Sequence, residues 1–191
     1  MEQNKEMTAQ ESLALIAEMM NNSRKAILRS SASHFILWGI LLTVFSLVIF
    51  FLWHAGGGPV WNMLWFAMPV LGYALAFILR KKEGPVPTNE IGRLLGPIWG
   101  TFGFFSMCLS AIAVFWVPMH ITLIIVIILG LAESISGVVL KNWPIIIAGA
   151  VLGIGGAVAA SLLVNAEQLF LFTLGGILLV VTGLIVKFQY K

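Results

Sequence analysis

Apolar residues dominate this chain in long unbroken runs, and the polar residues gather at the breaks between them. Six runs are long enough to matter: 35–53, 61–79, 97–117, 121–140, 143–164 and 169–186. An α-helix rises about 1.5 Å per residue, so a hydrocarbon core of about 30 Å needs roughly 20 apolar residues. Each run therefore predicts one membrane-spanning helix. Five of the six hold no charged residue, and the fourth holds one, Glu133.

The breaks have identifiable causes. Gly56, Gly57, Gly58 and Pro59 predict a turn between spans 1 and 2. Pro118 with Met119 and His120 separates spans 3 and 4; without it one run would cover about 44 residues (97–140), too long for one crossing. Lys141 and Asn142 precede Trp143 and Pro144, with the proline in the first turn of span 5, where it is tolerated. Asn165 to Gln168 separate spans 5 and 6.

A polar segment precedes the first run. Thr8-Ala9-Gln10-Glu11 reads as a capping box, and Leu13, Ile16, Met20 and Ile27 then fall near one helical face. This predicts an amphipathic interfacial helix over about 9–30, lying on the inner leaflet or docking a partner. The domain layout expected is a cytoplasmic segment 1–34, a six-helix membrane domain 35–187 and a short tail 188–191. A polar segment of more than thirty residues before the first run does not read as a cleavable signal.

Composition agrees with this picture. The chain is 60% hydrophobic and only 10% charged, against about 25% charged in soluble domains. Mean hydropathy is +1.00. So few charges cannot cover a globular surface in water, so lipid is part of the solvent.

Charge placement sets the orientation. All eleven Lys and Arg residues fall on one side of the six-span map: the N-terminal segment, the 80–96 loop, the turn at Lys141 and the C-terminus. The opposite loops hold none. By the positive-inside rule these basic segments, and both chain ends, are cytoplasmic. The tryptophans fit the same map. Trp53, Trp61, Trp65 and Trp116 lie near outer ends, and Trp38, Trp99 and Trp143 near inner ends. The basic pI of about 9.3 is explained by orientation, and no nucleic-acid partner is expected.

Few residues offer chemistry. There is no Asp, no H-E-x-x-H, no G-x-S-x-G and no Walker A sequence, so no enzyme and no cofactor is expected. Cys108 is the single cysteine and reads as a packing residue. His54, His120 and Glu167 share the outer side, either as a metal triad or as three unconnected loop-end residues.

Glu133 is the most informative position. It lies about eight residues, or 12 Å, from the inner end of span 4. Gly130, Ser136 and Gly137 stand at i−3, i+3 and i+4 and would let another helix approach on that face. Ionisable residues at depth are costly and mark function by default. Two readings stand side by side: a proton- or cation-linked carboxylate on a transport path, or a structural group bonded to Ser106, Ser110, Tyr73 or a backbone carbonyl.

Span 5 carries Gly149, Gly153 and Ala157 at four-residue spacing, a close-packing face of the GxxxG type. Its partner is either span 6, with Gly175, Gly176 and Gly183, or another subunit.

Trp38-Gly39, Met68-Pro69 with Gly72, Arg80-Lys81-Lys82, Trp99, Ser136-Gly137 and Pro144 with Gly149 together form a pattern. It resembles that of uncharacterised small six-pass bacterial membrane proteins, over roughly residues 35–160. The resemblance implies a bacterial cytoplasmic membrane and supplies no activity. The fold expected is thus an all-α polytopic bundle of six spans. The leading functional expectation is a non-enzymatic accessory or assembly partner acting through helix packing, as a homo-oligomer or with another membrane protein. The alternative is a small transporter or channel using Glu133.

Overall fold

A computed structural model describes residues 9–83 and 90–190. Every regular element among them is helical. Five helical stretches are long and apolar enough to cross a membrane: Gln10–Leu79, Arg93–Phe115, Ile121–Leu140, Trp143–Leu162 and Asn165–Gln189.

The first stretch is folded back on itself. Helix α1 (Ala9–Leu52) ends in a wide π-type turn, Trp53–Gly57. The backbone then leaves helical geometry at Gly56 (φ 105°) and Gly58 (φ 61°), a region that L side chains rarely enter. A 3₁₀ segment, Gly58–Phe66, leads into α2 (Ala67–Glu83). The Trp38 ring lies against Gly72, where a Cβ would collide with it, and meets the Tyr73 ring at 5.5 Å. Residues 38 and 72 would stand about 51 Å apart on a straight helix. Their contact therefore requires α1 and α2 to run antiparallel.

Helix α1 is longer than the first apolar run. Its 44 residues form one helix with no break near residue 34, about 66 Å long. The amphipathic segment anticipated over 9–30 is thus continuous with the helix of the first apolar run. On its predicted apolar face, Leu13, Ile16 and Met20 are 67%, 53% and 69% exposed, whereas Ile27 is buried. The capping box begins at Thr8, and the 80–96 loop carries Thr88; both residues lie outside the described residues.

Helix α3 (Glu90–Phe115) continues through Pro97 without a break. Trp99 packs edge-on against Phe35 of α1 at 5.9 Å. The turn at Pro118 leads to α4 (Ile121–Leu140), whose bounds match the fourth apolar run. Lys141 adopts a left-handed conformation (φ 50°, ψ 46°) at the end of α4. Asn142 N–H donates to Gly137 O at 2.9 Å and Lys141 N–H to Val138 O at 3.0 Å, the double bond of a Schellman termination. The Asn142 side chain then caps the next helix by accepting from Ile145 N–H at 3.4 Å.

The fifth apolar run is one helical stretch built in pieces: α5 (Trp143–Ala150), a π-bulge at Val151–Gly155 and α6 (Gly156–Leu162). A 3₁₀ turn, Asn165–Gln168, leads into α7 (Leu169–Gln189).

Two antiparallel seams hold these helices. Along the first, Gly183 meets Ala32 and Ile36, and Gly176 meets Gly39 and Thr43, joining α7 to α1. Ser46 and Thr173 share a buried 2.8 Å hydrogen bond there, and Phe50 lies 4.5 Å from Phe170. Along the second, Gly130 and Ser134 of α4 meet Gly149 and Gly153. In lipid, association gains nothing from removing apolar surface from water, so close packing and interhelical hydrogen bonds must supply it. Thr173→Val is expected to cost about 1 kcal/mol, read as a lower unfolding midpoint in detergent. Large apolar residues such as Phe77, Phe104, Ile154 and Leu174 stay exposed on the outside of the bundle.

Candidate functional site: a buried carboxylate on α4

Buried positions on α4 recur at helical spacing: Val126, Leu129, Gly130, Glu133, Ser136, Gly137 and Leu140. Within this arc, Gly130 and Gly137 turn toward α5. A Cβ on Gly130 would strike the Gly153 backbone and lie 2.5 Å from Gly149 O; one on Gly137 would lie 2.6 Å from Ile146 N. Glu133 is set about 60° away from Gly130 around the helix and so points beside the seam, into the bundle.

Glu133 is 0% exposed. Neither Oε1 nor Oε2 has a hydrogen-bond partner. The bond anticipated to Ser106, Ser110, Tyr73 or a backbone carbonyl is not made. Ser136 Oγ, one turn away, donates to Ala132 O at 2.7 Å within its own helix. Ser106 Oγ on α3 is likewise buried and unpartnered. An isolated charge moved from water into low dielectric costs tens of kcal/mol in the Born limit, and buried polar groups in native structures are otherwise paired. Such a carboxyl is stable only when a proton, a cation or a water supplies the missing partner.

Arg24 closes the C-terminal end of α4. Its guanidinium donates to Leu140 O at 3.1 Å and to Lys141 O at 3.0 Å. These are terminal carbonyls that the helix itself leaves without donors, at the end where its dipole favours a cation. Leu140 is seven residues from Glu133, about 10.5 Å along the axis. Sequence reasoning assigned Arg24 only to the basic side of the membrane. Arg24→Met is expected to lower stability by about 2 kcal/mol, the scale of a charged hydrogen bond lost at a partly buried site, as read by unfolding in detergent.

The packing face read from span 5 is occupied within the chain. Gly149 and Gly153 lie on α4, Gly156 on Val126, and Ala157 is half-buried. Gly176 and Gly183 of α7 face α1 instead; only Gly175 turns to Leu152. His54, His120 and Glu167 do not form a metal-binding group. His54 Nδ1, in the π-type turn, bonds to Phe50 O of α1 at 2.9 Å, and no group of three His, Cys, Asp or Glu side chains among the described residues could hold a metal.

No protein-family model, curated protein or solved structure matches the chain.

Proposed function

We propose that this chain is an integral protein of the cytoplasmic membrane, crossing it six times with both ends inside, and that it works as a small transporter or channel. Glu133 is its proton- or cation-linked carboxylate. The reversal at Gly56–Gly58 divides the first 70-residue stretch into two apolar legs, which raises five candidate stretches to six crossings. The antiparallel pairing of α1 and α7 fits an even number of crossings. The placement of all eleven basic residues gives the direction. The bacterial membrane rests on the resemblance of the motifs.

One observation carries the transport reading: Glu133 is fully enclosed and neither of its oxygens is partnered. A carboxylate kept solely for structure would be bonded to a neighbouring helix. The test is flux in vesicles containing the purified protein, with imposed proton, Na⁺ or K⁺ gradients. Wild type is expected to dissipate at least one gradient, and Glu133→Gln to fall to the level of empty vesicles. Equal flux through both proteins removes Glu133 from the path.

A second reading, an accessory or assembly partner, retains one support. The close-packing face of α5 is consumed inside the chain, but Leu13, Ile16 and Met20 remain exposed on α1. This face suits the inner leaflet, a second copy or another membrane protein. Leu13→Cys in a Cys108→Ser background is expected to cross-link between copies in native membranes if the protein assembles through it. Monomer alone removes the homo-oligomer.

A further inference from the structure

We propose that the N-terminal arm of α1 is a docking surface on the cytoplasmic side, and that its occupant is an acid-edged amphipathic helix of another protein. This rests on the orientation proposed above, with both ends inside, and names the partner for the accessory reading.

The arm begins where the bundle stops. Ile27 and Leu28 are buried, and Arg24 donates to Leu140 O and Lys141 O at the end of α4. Residues 9–23 continue the same α-helix for about 22 Å beyond that contact. Leu13, Ile16, Ala17 and Met20 fall within about 100° of one another around this arm, and all four are exposed. Glu11, Glu18 and Lys25 recur every seven residues on the opposite side. An apolar stripe with charges behind it is the pattern of a helix that lays one face on a partner.

Lipid does not reach the whole stripe. On the proposed orientation Lys141 marks the cytoplasmic edge of α4, and Arg24 is bonded at its level. Leu13 lies eleven residues from Arg24, about 16 Å further out, and still about 12 Å if α1 tilts by about 40°. A headgroup layer is only about 5–8 Å deep. Lying flat would need a break in the helix, and α1 is continuous from Ala9 to Leu52.

A second copy is obstructed by the bundle itself. Arg24 lies one turn from Met20 on the face of the stripe and is turned to the end of α4. The stripe therefore overhangs its own bundle. The α1 of a copy standing alongside in the membrane would have to pass through α4 to pair along it. A helix arriving from the cytoplasm meets no such obstacle.

Charge selects among such helices. Arg24 and the exposed Lys141 stand at the foot of the stripe, while Glu11 and Glu18 are turned away from it. The segments on this side carry eleven basic residues against six glutamates. A helix with acidic edges gains from this field, and one with basic edges is repelled.

The test uses the full chain in phosphatidylcholine nanodiscs, with bimane on Ala14→Cys, beside the stripe, in a Cys108→Ser background. The probes are two synthetic amphipathic helices with the same leucine face, one edged with Glu and the other with Lys. The Glu-edged peptide is expected to bind and blue-shift the bimane, and the Lys-edged one to bind about tenfold more weakly or worse. Leu13→Asn is expected to weaken the Glu-edged peptide about tenfold, and Lys141→Glu to reverse the preference. Both side chains are exposed, so neither change disturbs the packed core. Equal binding of the two peptides, or binding of neither, overturns the proposal. Quenching of the bimane by nitroxide-labelled lipid overturns it in favour of the leaflet, and a cross-link between copies through Leu13→Cys in favour of a second copy. A membrane-impermeant thiol reagent on sealed vesicles of known sidedness separates the two levels of failure. Modification of Ala14→Cys from the outer side alone overturns the orientation and the docking with it; modification from the cytoplasmic side without peptide binding overturns the docking alone.

Discussion

Gly130→Ala is expected to lose most of the folded protein recovered in detergent. The added Cβ would meet the Gly153 backbone and Gly149 O, and Gly149 has the reciprocal problem with Ser134 N at 2.5 Å. No side chain is available to swing aside, so α4 and α5 must separate along the whole seam. Overpacking costs about 1–3 kcal/mol even where side chains can adjust, and rigid backbone places this change at or above the top of that range. That is a large fraction of the stability of a typical domain, about 5–15 kcal/mol. The same substitution elsewhere on these helices provides the comparison. At Gly153 the nearest atom, the Gly130 Cα, would be 3.3 Å away, so Gly153→Ala is expected to cost less than Gly130→Ala. At Gly155 nothing lies within 4 Å, so Gly155→Ala is expected to be neutral or stabilising by up to about 1 kcal/mol. Thermal unfolding followed by size-exclusion chromatography ranks the three. Equal midpoints for Gly130→Ala and Gly155→Ala would show that the seam is not closed as described.

Glu133→Met is expected to raise the unfolding midpoint while abolishing flux. Methionine is unbranched, close in length and adaptable, so it fills the same space without a polar head. A buried polar group without a partner costs about 1–3 kcal/mol, and a charged one more, so its removal should return at least that much. Gains in stability at the expense of activity are the usual signature of a residue retained for function. The measurement is the midpoint of purified Glu133→Met against wild type, with vesicle flux on the same preparations. A lower midpoint would mean that Glu133 makes a stabilising bond in the native protein, and would return it to a structural role.

The features that run along the chain were readable before the structure. The fourth apolar run and α4 share their ends, Ile121 and Leu140, because Pro118 and the polar pair Lys141-Asn142 are local stops. The turn at Gly56–Gly58 was legible because a reversal there needs backbone angles that glycine tolerates. The inward aim of Glu133 followed from Gly130 and Gly137 at helical spacing around it. Polarity misled at one place: a change from polar to apolar near residue 34 suggested a boundary, yet helical propensity on both sides lets α1 run straight through.

What the chain could not reveal by itself was which helix meets which. Small residues on α5 and α7 announce close packing without naming a partner, since in lipid every apolar flank is an equally good neighbour. The structure pairs α5 with α4 and α7 with α1 because Gly130 and Ser134 complement Gly149 and Gly153, and because Gly39, Thr43 and Ser46 complement Gly176 and Thr173. Arg24 finds the end of α4 across more than a hundred residues, a distance at which periodicity carries no information. Whether Glu133 has a partner is also a matter of three-dimensional placement. The apolar runs were enough to predict an all-helical chain with stretches long and apolar enough to cross a membrane and one carboxylate inside the fourth. Tertiary packing decided that this carboxylate is enclosed and left unpartnered, because hydrogen bonds depend on angstrom distances between helices that spacing along one helix does not encode.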